Sequence, residues 1–125
     1  GRIVVVASVH GIVASPFKAG YVAAKHGAVG LVKSLALEGA EHGIRATALC
    51  PGFVRTPLVQ AQVTALAAHR GITEEAVRAE ADALSPLRRL VTAEEVAAAC
   101  VFLACGGSAS ITGEDLNVTA GVVMY

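Results

Sequence analysis

Ser8, Tyr21 and Lys25 are the side chains of this sequence whose types and spacing fit a reaction. The tyrosine stands thirteen positions after the serine, and the lysine four positions after the tyrosine. Residues i and i+4 of a helix share a face with their Cβ atoms about 5–6 Å apart, which brings a lysine ammonium within reach of the phenol. A free phenol titrates near about pH 10 and moves few protons at neutral pH, whereas a neighbouring cation favours its anion. A serine hydroxyl held opposite can donate to one oxygen and accept from another. Together the three make a proton-transfer site suited to an alcohol or a ketone.

Those side chains need elements to hold them. Residues 2–7, RIVVVA, form a β-branched run without alternation, as expected of a strand buried on both faces in the middle of a parallel sheet. Gly11, Ser15 and Pro16 mark a loop over residues 8–19. A long helix is predicted from residues 17–21 to 41, with Val22, Val29, Val32 and Ala36 on one stripe, Leu31 and Leu35 beside it, and Gly43 as its stop. Residues 44–49, IRATAL, read as a second strand closed by Pro51-Gly52, completing a strand–helix–strand unit with parallel strands. Two Ala-rich helical pieces follow, 56–70 and 73–84, broken at Gly71 and poor in large side chains, a composition that suits a mobile cover more than a core. Thr92 and Glu95 have the spacing of a capping box, opening a helix that runs to about residue 105; residues 116–119 read as a third short strand.

Composition narrows the classes of function. The 125 residues fit one domain with a single core. They are 54% hydrophobic and 16% charged, with a mean hydropathy of +0.62, yet no apolar run reaches the roughly 18–20 residues of a bilayer span. A buried sheet with oligomer contacts accounts for that hydropathy, and neither a signal peptide nor a membrane partner is expected. Net charge is zero and aromatics are 4%, so no basic stripe or stacking platform marks a nucleic-acid partner. Cys50, Cys100 and Cys105 are odd in number and lie in apolar stretches, as structural thiols of a reducing cytoplasm do. Their spacing beside histidine does not make a zinc set, so no metal is expected. Ser8 is not in a GxSxG elbow, which argues against hydrolase chemistry.

Ser8, the Tyr21-Val-Ala-Ala-Lys25 segment, the Pro51-Gly52-Phe53-Val54-Arg55-Thr56 turn and the ITG of residues 111–113 resemble the short-chain dehydrogenase/reductase superfamily. Residues 8–27 and 51–59 resemble its 3-hydroxybutyrate dehydrogenase family more closely. The resemblance implies an α/β fold, the C-terminal part of a Rossmann-like doubly wound parallel sheet. It would have three strands, flanking helices and a helical substrate lid at 57–90 within one partial domain spanning 1–125. It implies an NAD-dependent oxidoreductase that passes hydride between NAD(H) and a small 3-hydroxy acid such as 3-hydroxybutyrate, with acetoacetate as its oxidised partner. In that family the tyrosine exchanges a proton with the alcohol oxygen, the lysine holds the ribose, and the serine orients the carbonyl; those roles fall on Tyr21, Lys25 and Ser8. The carboxylate contacts fall on His10, Lys18 and Gln62, and charge with directional donors is what a small carboxylate needs. Contacts on the nicotinamide side fall on Pro51, Gly52, Val54 and Thr56. A homotetramer with the long helix and the last strand at its interfaces is implied as well.

The family's glycine-rich phosphate turn, ribose-binding acid and catalytic asparagine have no counterpart in the 125 residues, which correspond to the C-terminal half of such an enzyme. Near the end, Thr119-Ala120-Gly121 replaces the commoner Asp-Gly-Gly. Two alternatives stay open at this point: a catalytically silent fragment without the phosphate-binding half, and a short-chain reductase for another alcohol or ketone, such as a sugar, steroid or acyl-carrier substrate.

Overall fold

The computed structural model describes residues 1–124. Strands β1 (Arg2–Val6), β2 (Arg45–Pro51) and β5 (Asp115–Val118) form a parallel sheet in the order β1-β2-β5. Helix α1 (Ala19–Gly39) connects the first two. Side chains alternate along a strand, so Ala46, Ala48 and Cys50 share one face of β2 and Thr47 and Leu49 the other. The first set packs with Val29, Val32 and Ala36 of α1 in the main core. The second is equally buried, on the side where α4 (Ala93–Ala104) crosses β1 and β2. That is the layered helix–sheet–helix arrangement expected of the sequence.

β1 forms one edge of the sheet among the described residues. It pairs with β2 alone among the described residues, its middle residues are half-buried, and Val6 is 52% exposed. The β-branched run specifies a strand, but burial depends on what neighbours cover it. On α1, Val29, Val32 and Ala36 are buried as the stripe requires, whereas Leu31 and Leu37 face outward. The helix gives way at Ala40–His42 to a tighter turn, and Gly43 follows in the left-handed region at φ 65°. β2 runs two residues past its expected end because its ladder with β5 continues. Pro51 pairs with Val118, and the Gly52 amide donates to the Val118 carbonyl at 2.9 Å.

One piece of the fold escapes the sequence pattern. Val54–Arg55 (β3) and Val91–Thr92 (β4) pair in parallel and tie together the two ends of the segment between them. Two residues are too few to show a period, and their partners lie more than thirty positions apart. Inside that segment, α2 (Pro57–Arg70) and α3 (Glu74–Ala83) turn at Gly71 as expected. The packing is thin but not absent: Val63, Ala67 and Val77 form a separate small core with Ile72 against it. The Arg78–Glu74 and Arg70–Glu80 pairs, at 2.7 and 2.6 Å, brace it from outside.

Helix α4 opens on the expected capping box, with Thr92 Oγ1 accepting from the Glu95 amide at 3.2 Å and Glu95 Oε2 accepting from the Thr92 amide at 2.9 Å. The Arg89 guanidinium hydrogen-bonds both oxygens of Glu95, at 2.6 and 2.8 Å. Chiefly for that reason, and secondarily through the Thr92 amide, the Glu95 carboxyl is held down at about 2. A depressed carboxyl contributes stability that is complete above its ordinary pKa of 4.5 and drains away as the pH falls toward about 2. Glu95→Gln is therefore expected to flatten the loss of stability across that acid window, measured as the urea midpoint against pH; parallel curves for the two proteins would contradict it.

The other end of α4 is held from β2. Arg45 Nη1 donates to the carbonyls of Ser108 and Ile111 at 2.6 and 2.9 Å, satisfying groups in the turn that follows the helix. Hydrogen bonds from a charged donor contribute about 1.5–3 kcal/mol, so Arg45→Met is expected to lose stability in that range by chemical denaturation. A change under half a kilocalorie would show the contacts to be incidental. Thr112 and Gly113, from the ITG segment, clip the start of β5 to β2: the Ala46 amide donates to Thr112 Oγ1 at 3.1 Å, and the Gly113 amide to the Ala46 carbonyl at 2.7 Å.

Ala120 lies two residues beyond the end of β5. It sits at φ 53°, in the left-handed region that disfavours a Cβ. Ala120→Gly is expected to stabilise the protein by about 1 kcal/mol, reduced somewhat by the greater freedom of glycine in the unfolded chain. A lowered melting midpoint would count against that assignment. The cysteines are free and differ from one another: Cys50 is wholly buried, Cys100 half-buried, and Cys105 exposed at the cap of α4.

Candidate active site

The site forms where β1 ends. The Ala7 amide still bonds the Leu49 carbonyl at 2.8 Å, and the chain then leaves the sheet at Ser8. Ser8 is buried, in extended backbone, and its Oγ accepts from the His10 amide at 3.1 Å, opening a single tight turn over Val9–Gly11. That turn lies directly against α1. A Cβ on Gly11 would come within 2.7 Å of Val29 Cγ2 and 2.8 Å of the Lys25 carbonyl oxygen, so only glycine lets the serine turn sit this close to the helix.

Tyr21 lies in the first turn of α1 and Lys25 one turn on, as the spacing predicts. Lys25 Nζ donates to the Val6 carbonyl at 3.2 Å and lies 5.7 Å from the centre of the Tyr21 ring. The lysine thus links the end of β1 to the tyrosine. The His10 ring also meets Tyr21 edge-on, with centroids 5.9 Å apart and planes at 86°. Tyr21 is 48% exposed, open to an entering molecule. Burial, then the nearby Lys18 charge, push the His10 pKa below its ordinary value, with the Val13 backbone opposing. That shift favours the neutral imidazole.

Ser8, His10, Lys18, Tyr21 and Gln62 line one cavity of about 350 Å³ with Val9, Gly52, Phe53 and Leu58. Five residues spread over more than fifty positions are thereby brought to one place. Of the segment expected at the nicotinamide, Gly52 lines this cavity, Pro51 ends β2, and Val54 belongs to β3. Thr56 caps α2, its Oγ1 accepting from the Val59 amide at 3.3 Å. Pro51, Val54 and Thr56 do not line this cavity; Thr56 borders a separate one with Arg55, Val59, Gln60 and Arg78, although the segment as a whole follows the carboxyl end of β2, where open α/β sheets bind their ligands.

The family model for enoyl-(acyl carrier protein) reductases matches residues 1–123. The chain belongs to the short-chain dehydrogenase/reductase family. It is 48% identical over 122 residues to a D-beta-hydroxybutyrate dehydrogenase of Rhizobium meliloti, covering 97% of this chain and 47% of that protein. The dehydrogenase of the same name from Cupriavidus necator is 48% identical over 124 residues, covering 98% of this chain and 48% of that protein. Among solved structures, an actinorhodin polyketide ketoreductase variant with NADPH superposes with a TM-score of 0.91 at 37% identity, covering all of this chain and 48% of that one. The chain spans about half the length of the curated relatives it matches.

Within this family frame, the residues present fit one end of a nicotinamide dinucleotide. Tyr21 and Gly52 border one cavity, with Lys25 against the Tyr21 ring. A Cβ on Gly52 would lie 3.1 Å from Thr119 Cα, so the strand ends stay tightly packed beside the opening. The pyrophosphate end finds no glycine-rich turn within residues 1–125. Sequence reasoning missed Val9, Leu58 and Phe53 as lining residues. The first two look like core or helix positions, and only the scarcity of aromatics in the chain could have drawn attention to the third. Among the described residues no helix is long and apolar enough to cross a membrane, and no three His, Cys, Asp or Glu side chains come together as metal ligands.

Proposed function

We propose that the chain is the proton-transfer half of an NAD(H)-dependent oxidoreductase acting on a small 3-hydroxy acid such as 3-hydroxybutyrate. The observation that carries this reading is the single cavity in which Ser8 and Tyr21 meet Lys18, His10 and Gln62. The two groups do different work. The Tyr21 hydroxyl exchanges a proton with the alcohol oxygen, Lys25 tethers the tyrosine's turn to β1, and the Ser8 hydroxyl hydrogen-bonds the same substrate oxygen. Lys18 supplies charge for the carboxylate, and His10 and Gln62 supply directional hydrogen bonds. When bound, the nicotinamide takes up or returns hydride. The segment 57–90 covers the cavity as a lid, a role consistent with a helix pair that packs chiefly on itself.

A substrate panel on the full-length enzyme tests the reading. Turnover of 3-hydroxybutyrate with NAD, and poor turnover of neutral secondary alcohols of similar size, is the expected result; equal turnover of both would remove the carboxylate half of the claim. Comparison of NAD with NADP decides the cofactor.

A second reading concerns the 125 residues taken alone. β1 has one unpaired edge among the described residues, and the chain lacks a phosphate-binding turn. Titration of the isolated chain with NADH is expected to show no stoichiometric binding, leaving it catalytically silent; tight binding would refute this. Assembly as a homotetramer through α1 and β5 is supported by Leu31 and Leu37, 56% and 82% exposed on α1. Sedimentation of the full-length protein tests it. A cytoplasmic location is proposed on the three free thiols.

A further inference from the structure

Lys18 lines the cavity and is exposed, and it forms no ion pair with a carboxylate among the described residues. It is the residue before α1, directly after Phe17, whose backbone turns through φ 62°. A lysine carries a point charge on a flexible stem, so some neighbour must restrict it if it is to meet a ligand at a fixed place. The neighbour is Phe53, whose ring centre lies 5.9 Å from Lys18 Nζ. An aromatic face attracts an ammonium without neutralising it, which leaves the charge free for an anion. An aspartate at that position would consume it.

The backbone of Phe53 is itself fixed. Its carbonyl accepts from the Val91 amide at 3.0 Å, so the residue is bonded to the strand where the segment 57–90 returns. We infer that Phe53 is a positioning residue for Lys18: its ring holds the ammonium at the cavity wall and ties the charge to the base of the helical hairpin. The inference rests on the reading that Lys18 receives a substrate carboxylate. It adds a determinant of acid specificity that makes no bond to the acid.

Four variants of the full-length enzyme test it: Phe53→Leu, Phe53→Tyr, Lys18→Met, and Phe53→Leu combined with Lys18→Met. Phe53 is 40% exposed, so its replacement leaves the core intact. Phe53→Leu is expected to raise KM for 3-hydroxybutyrate roughly three- to tenfold, with a smaller change in kcat, and Phe53→Tyr to restore it. In the Lys18→Met background, Phe53→Leu is expected to add nothing further. An unchanged KM in Phe53→Leu would overturn the inference. So would an undiminished effect in the Lys18→Met background, which would make the ring a direct substrate contact. If Lys18→Met alone left KM unaltered, the carboxylate reading would fall instead. A substrate-free measurement then judges Phe53: the Lys18 ε-methylene protons should be shifted upfield by the ring in the parent and return in Phe53→Leu, and no difference would overturn the positioning role.

Discussion

Tyr21→Phe in the full-length enzyme is expected to lower turnover by about 10²–10⁴-fold, the range a positioned proton donor contributes. The substitution removes one oxygen and little else. The ring remains edge-on to His10 and beside Lys25, and since Tyr21 is 48% exposed the variant is expected to unfold within about half a kilocalorie of the parent. KM should change much less than kcat, because carboxylate binding is assigned to other residues. Turnover within tenfold of the parent would end the proton-transfer role, whatever the substrate.

Gly11→Ala should damage both stability and chemistry. The added methyl would meet Val29 Cγ2 at 2.7 Å and the Lys25 carbonyl oxygen at 2.8 Å; the first belongs to a buried core residue and the second to helix backbone. Neither yields readily, so the turn bearing Ser8 and His10 must move off α1. Overpacking of this kind costs about 1–3 kcal/mol. The displacement also separates Ser8 and His10 from Tyr21, and misplacement by about an ångström can lower a rate by about 10²-fold. A drop in the urea midpoint together with a fall in kcat is the expected pair of results. An unchanged midpoint would show that the turn has slack the geometry does not reveal.

These two substitutions differ in how visible they are from the sequence. Tyr21 and Lys25 announce themselves because helical spacing is local: four positions on α1 necessarily face each other. The same locality made Thr92 and Glu95 legible as a capping box, and Gly43 as the end of a helix. Gly11 looks like any loop glycine. Its necessity comes from α1, whose nearest atoms belong to residues fourteen and eighteen positions further on. Arg45 similarly reads as a strand residue, yet it bonds carbonyls more than sixty positions away. The pairing of Val54–Arg55 with Val91–Thr92 leaves no period to read.

By itself, the sequence determined the order of the main helices and of the three sheet strands, the capping box that opens α4, the glycine stop after α1, the placement of Tyr21 and Lys25 on one helical face, and through resemblance the family to which the chain belongs. Local hydrogen bonding and side-chain periodicity decide those features within a few residues of one another. Only the tertiary structure decided that Lys18 lies beside Phe53, that β1 runs at the outside of the described sheet, and that a serine turn can nest against α1. Those depend on distances between atoms far apart along the chain, which packing of the sheet against its helices sets.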